Sequence, residues 1–136
     1  MTYKLSQQSL AKLQGVHPDL VSVVELAITM THVDFAVLEG LRTPERQAEL
    51  VAKGVSWSIN SRHLTGHAVD LGAIVDGQVT WTWAPYYVLY EAMSAAAKQL
   101  KVPIEWGGNW LKRKDGPHYQ LPWSKYPISS QRGITI

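Results

Sequence analysis

Residues 68–75 and 78–82 alternate in polarity on either side of Asp76-Gly77. An Asp-Gly pair suits a two-residue turn in which both positions take positive φ, the turn whose twist matches the strands it joins. The middle of the chain is therefore committed to an antiparallel hairpin. On its first strand Asp70 falls on the face opposite Val69, Leu71, Ala73 and Val75, because side chains alternate across a strand.

Helices surround this hairpin. A short one is expected over residues 5–13. A second starts at His17-Pro18-Asp19, with proline at the first helical position and an acid in the first turn. Leu20, Val23, Val24, Ala27 and Met30 give its buried stripe. Asp34 to Leu38 reads as a strand ending at Glu39-Gly40. Thr43-Pro44-Glu45 opens a third helix, which Gly54 closes. The clearest helix covers residues 86–100, where Leu89, Ala92, Met93, Ala96 and Leu100 share one face. Short strands are expected near Val102–Trp106 and His118–Leu121, separated by Gly107-Gly108. Helices followed by hairpin-linked strands give an α+β order with a small antiparallel sheet. At 136 residues the chain has the size of one domain, with no repeat or linker to divide it, so residues 1–136 are read as a single unit. No role is assigned to the tail from Pro122 to Ile136.

The residues that carry chemistry cluster in two places. Ser61-Arg62-His63-Leu64-Thr65-Gly66-His67-Ala68-Val69-Asp70 sets an imidazole and a carboxylate seven residues apart. Asp115-Gly116-Pro117-His118-Tyr119 sets another imidazole three residues after another carboxylate. The chain has no cysteine, so any bound metal must be held by His and carboxylate. Hydrolytic zinc usually takes three protein ligands and leaves a fourth position open. His63, Asp70 and His118 suffice for that set, and Asp115 remains as a base. His63 precedes a strand, Asp70 lies on it, and His118 opens a strand that can be its neighbour. The spacing differs from the His-Glu-x-x-His helix motif, so thermolysin-like enzymes are not the template.

The pattern Ser61-x-His63-x-x-Gly66-x-Ala68-x-Asp70 resembles the signature of the M15 zinc peptidases, the superfamily of D-Ala-D-Ala carboxypeptidases and dipeptidases. Gly15-Val16-His17-Pro18-Asp19-Leu20-Val21, Glu39-Gly40-Leu41-Arg42-Thr43, Trp106-Gly107-Gly108-Asn109-Trp110 and Asp115-Gly116-Pro117-His118-Tyr119 resemble its L-alanyl-D-glutamate endopeptidase branch, which supplies many bacteriophage endolysins. The resemblance spans about residues 5–122. It implies the M15 peptidase fold and one zinc ion per chain, held by His63, Asp70 and His118. It further implies that Asp115 acts as general base and acid, and that Arg42 binds a substrate oxygen or stabilises the oxyanion. Ser61 is implied as a substrate contact, with a turn-forming role as its alternative. The branch often carries Asp where Asn109 stands, and neutral Asn can neither act as an acid nor add charge to a cation site.

Other polar residues read as structural. His17 is expected to cap a helix, His32 to lie in a turn between helices, and His67 to occupy a variable position of the motif. Glu105 is a rival base, but it lacks the fixed spacing to His118 that Asp115 has. Trp81 and Trp83 could form a sugar-stacking platform, although filling the core is the more usual fate of such residues. Lys112-Arg113-Lys114 is expected to be a solvated loop that brings positive charge near the cleft.

A net charge of +2 is too small to argue for nucleic acid. No apolar stretch reaches the roughly 20 residues needed to span a bilayer, and residues 1–8 lack the apolar core of a signal peptide. The resemblance implies a zinc endopeptidase acting on the peptidoglycan stem peptide, most simply at L-Ala–D-Glu, and a monomer is expected. As a phage lysis enzyme it would be made in the host bacterial cytoplasm and reach the wall once the inner membrane is opened. Two alternatives stay open at this point: a D-Ala-D-Ala carboxypeptidase or dipeptidase, and a non-catalytic zinc-containing wall-binding module.

Overall fold

Asp76 and Gly77 both take positive φ, 53° and 78°, and between them turn strand β2 (Ala68–Val75) into β3 (Gln78–Thr80). The computed structural model describes residues 2–54 and 61–127, and the tail beyond Pro127 lies outside them. β2 is the axis of the sheet. One of its edges pairs with β1 (Asp34–Glu39), and the other is shared by β3 and β5 (His118–Gln120). β4 (Glu105–Trp106) pairs with β5, and every pairing is antiparallel. The order is β1-β2-β5-β4, with β3 on the distal half of β2.

The helices are α1 (Gln7–Lys12), α2 (Pro18–Met30), α3 (Pro44–Ala52) and α4 (Trp83–Leu100). α2 and α4 pack on one another and cover one face of the sheet. Their buried stripes meet Phe35, Val37, Val69, Leu71 and Ala73 in a continuous apolar core. α1 is short but anchored: buried Ser9 accepts the Val37 N–H at 2.9 Å and ties the helix to β1.

Most boundaries fall where the sequence places them. His17 caps α2 through Nδ1, which accepts the Asp19 N–H at 3.1 Å, and Thr43 caps α3 through the Arg46 N–H. Four expectations are corrected. α4 begins at Trp83 rather than at residue 86, because Pro85 sits in the first turn, where a missing N–H breaks no intrahelical bond. β3 correspondingly ends at Thr80 rather than Thr82. His32 lies between α2 and β1, not between two helices. Trp81 and Trp83 are also exposed rather than buried in the core.

Candidate active site

Register places two site residues directly opposite each other. Asp70 pairs with His118 across β2 and β5. His63 comes from a single 3-10 turn, Arg62–Thr65, immediately before β2. Ser61 caps that turn, its Oγ accepting the His63 N–H at 3.1 Å. Gly66 ends it at φ 76°, and a Cβ there would stand 2.3 Å from the Gly15 carbonyl oxygen. The Gly66 carbonyl in turn accepts the His17 N–H at 2.8 Å, which joins the Gly15–Val21 motif to the His63 turn.

The resulting geometry brings the sequence-predicted trio together. One ligand atom from each of His63, Asp70 and His118 lies within 4.8 Å of the others. Asp70 Oδ1 is 3.3 Å from His63 Nε2 and 3.2 Å from His118 Nδ1. The outer nitrogens of both rings are already committed. His63 Nδ1 meets the Gly40 carbonyl at 2.8 Å, and a carbonyl can only accept, so Nδ1 carries the proton. His118 Nε2 donates to Gln120 Oε1 at 2.7 Å. The Gln120 amide orientation is fixed because its Nε2 donates to Glu105 Oε1 at 2.9 Å. With their outer nitrogens donating, both rings turn their inner nitrogens toward the Asp70 carboxylate. Two imidazole nitrogens and a carboxylate oxygen converging on one point, each ring held by an outer hydrogen bond, is an arrangement that can hold a metal ion.

Asp70 is also held from its other oxygen. Arg42 Nη2 donates to Asp70 Oδ2 at 3.1 Å, its Nη1 donates to Gln47 Oε1 at 2.7 Å, and its Nε pairs with Glu39. The guanidinium is 8% exposed, so this is a buried ion pair rather than a surface one. Burial alone would push the Asp70 carboxyl up, but the neighbouring His63 and His118 outweigh it and hold it well below the usual carboxylate range. For His118 burial opposes the charged form, and hydrogen bonding and attraction to Asp70 outweigh it and raise its pKa.

These residues floor a cleft of about 710 Å³. Asp115 lines it, three residues ahead of His118. Burial and the Asp70 charge raise the Asp115 pKa, against partial opposition from His118, His63 and Arg42. Two glycines of the Trp106–Trp110 segment shape this wall. A Cβ on Gly107 would stand 2.3 Å from the Asp115 carbonyl oxygen, and one on Gly108 would strike the Trp106 ring. The Gly107 carbonyl accepts the Asp115 N–H at 3.0 Å. Arg113 and Lys114 line the cleft, as does Ser61. Glu105 does not: it accepts from Gln120, behind His118. Asn109 is exposed in a 3-10 turn outside the lining.

The profile of the phage L-alanyl-D-glutamate peptidases matches residues 1–120. The chain belongs to this family. Among its relatives is the L-alanyl-D-glutamate peptidase of Escherichia phage T5, 28% identical over 89% of this chain and 99% of that protein. The L-alanyl-D-glutamate peptidase of Listeria phage A118 is 32% identical over 69% of this chain but only 32% of its own length. The solved structure of the Serratia marcescens L-Ala D-Glu endopeptidase ChiX superposes with a TM-score of 0.87 at 46% identity, covering 93% of this chain and 95% of ChiX. The vancomycin-resistance D,D-dipeptidase VanXYg shares the fold at a TM-score of 0.52 and 16% identity, covering 88% of this chain and 56% of that one. The α+β architecture expected for an M15 peptidase is thus the observed one.

Three residues of the site escaped the sequence reading. Gln120 orients His118, Gln47 braces Arg42, and Trp110 packs against His118 with ring centroids 5.1 Å apart. Gln120 had a usable signal, since position i+2 of a strand shares the face of position i. Gln47 had none beyond proximity in sequence to motif residues, and Trp110 was named in the Trp106–Trp110 motif without a role.

Proposed function

We propose that this chain is a zinc-dependent peptidoglycan endopeptidase that hydrolyses the L-Ala–D-Glu amide of the stem peptide. The observation that carries this reading is the convergence of two imidazole nitrogens and the Asp70 carboxylate on one point of the cleft, with Asp115 beside them. His63 through Nε2, His118 through Nδ1 and Asp70 would hold the ion. Bound there, zinc supplies Lewis acidity: it lowers the pKa of water to about 7 and polarises the scissile carbonyl.

The remaining steps belong to the chain's own residues. Asp115 takes a proton from the attacking water and delivers it to the departing D-Glu amine. Burial and the Asp70 charge raise its pKa, which favours the proton-holding form it needs between the two transfers. Arg42 commits three of its five N–H donors to Glu39, Gln47 and Asp70, and the other two serve a substrate oxygen. Ser61, on the cleft wall, offers its hydroxyl to the peptide as well as capping the His63 turn. All of these residues come from one chain, so a monomer suffices. Family membership supports a phage lysis role, in which the enzyme meets the wall after the host inner membrane is opened. Among the described residues no helix is long and apolar enough to cross a membrane.

Metal analysis combined with one variant tests the assignment. The protein should bind one zinc per chain, lose wall hydrolysis on chelation and regain it with zinc. Asp115→Ala should keep its zinc while turnover falls about 10²–10⁴-fold, the usual contribution of general acid–base catalysis. Full activity of the metal-free protein, or loss of zinc from Asp115→Ala, contradicts these roles.

A further inference from the structure

The catalytic residues leave one feature of the cleft unused. Trp81 lines it, yet 66% of its surface is exposed. The indole is not loose. It lies nearly parallel to Tyr86, with 9° between the planes and 6.3 Å between centroids. Tyr86 is itself buried and pinned, its hydroxyl donating to the Thr80 carbonyl at 2.7 Å and accepting from the Ala73 N–H at 3.2 Å. Exposed Trp83 and Tyr87 continue the aromatic surface, their rings 5.9 Å apart. The Trp83 ring also lies against Gly116, next to Asp115: a Cβ on that glycine would be 3.2 Å from it. An aromatic shelf thus runs outward from the residue assigned as base.

The chemistry of the substrate says what such a shelf would meet. This step rests on the L-Ala–D-Glu reading above. In peptidoglycan the L-Ala nitrogen is acylated by the lactyl group of N-acetylmuramic acid. Only one residue separates the scissile bond from a sugar. At about 3.5 Å per residue, the pyranose lies within roughly 10 Å of the bond being cut. An enzyme cutting there in intact wall must accommodate that ring in its cleft. The C–H face of a pyranose is complementary to the electron-rich face of an indole, and tryptophan offers that face at low conformational cost. Trp123, the other exposed tryptophan on the cleft wall among the described residues, is the rival, but the Arg62 guanidinium stands 4.2 Å from its ring centroid.

We propose that Trp81 is a glycan platform: it stacks the muramic acid sugar that carries the L-Ala, so that the enzyme selects wall-attached stems over free stem peptides.

The zinc-loaded enzyme should be compared on two soluble substrates with the same stem peptide. One carries only an N-lactyl cap, and the other carries the complete disaccharide. The parent enzyme should favour the disaccharide by about tenfold in kcat/KM, equivalent to about 1.4 kcal/mol, mainly through KM. Trp81→Ala should abolish that preference, and Trp81→Tyr should retain most of it. Equal kcat/KM on the two substrates in the parent enzyme overturns the proposal. So does an equal loss on both in Trp81→Ala, or loss of the preference in Trp123→Ala with Trp81→Ala unaffected. Failure of the parent enzyme to cut either substrate overturns the L-Ala–D-Glu reading itself, and the platform with it.

Discussion

Gly107→Ala tests whether the position of Asp115 is set by backbone contact. Gly107 lies in the Trp106–Trp110 segment, eleven residues before His118, yet it touches the wall that carries Asp115. The added Cβ would stand 2.3 Å from the Asp115 carbonyl oxygen and 2.9 Å from its Cβ. Reaching van der Waals separation requires the two segments to part by about 1 Å. The 3.0 Å hydrogen bond from the Asp115 N–H to the Gly107 carbonyl would stretch with them. Overpacking of this kind costs about 1–3 kcal/mol of stability. A displacement of about 1 Å at a catalytic group lowers turnover about 10²-fold. The proposed metal ligands come from the His63 turn, β2 and β5, so zinc content is expected not to change. Initial rates on purified peptidoglycan, zinc content by mass spectrometry and a urea melt separate these effects. Turnover within threefold of the parent refutes the positioning argument. Loss of zinc would show that the clash reaches the ligands instead.

Gln120→Leu removes the acceptor that fixes the His118 tautomer, and zinc affinity should fall about 10–100-fold in a chelator competition, while Asp115 stays in place. His67 supplies a pH dependence: burial, then the Arg62 and His17 charges, pull its pKa from 6.5 down to about 4. The folded state thus disfavours the protonated ring, so its contribution to stability is full above pH 6.5 and is lost as pH falls toward about 4. Urea midpoints should therefore drop less between pH 7.5 and pH 4.5 in His67→Gln than in the parent; equal drops contradict the shift.

The hairpin was legible because Asp76-Gly77 is a local signal, and local signals depend only on neighbouring residues. The stripes of α2 and α4 were legible for the same reason. The start of α4 was placed too late: the helix begins at Trp83, with Pro85 in its first turn. The trio of His63, Asp70 and His118 was visible as residue types with their spacing, and register then pairs Asp70 with His118. The hydrogen bonds around the trio were harder to see. Glu39 and Gln47 are near Arg42 in sequence, but Asp70 is 28 positions away, and only folding shows that this guanidinium grips a ligand carboxylate. Trp81 was misplaced because a strand was extended through it. The strand stops at Thr80, and the indole rests on Tyr86 at the cleft instead of entering the core.

The central claim is that the cleft cuts between L-Ala and D-Glu. Digestion of purified peptidoglycan by the zinc-loaded enzyme, with the new amino termini identified by mass spectrometry, tests it most directly. The account predicts stem peptides that begin with D-Glu and L-Ala left on the muramic acid. Free D-Ala as the main product would contradict it.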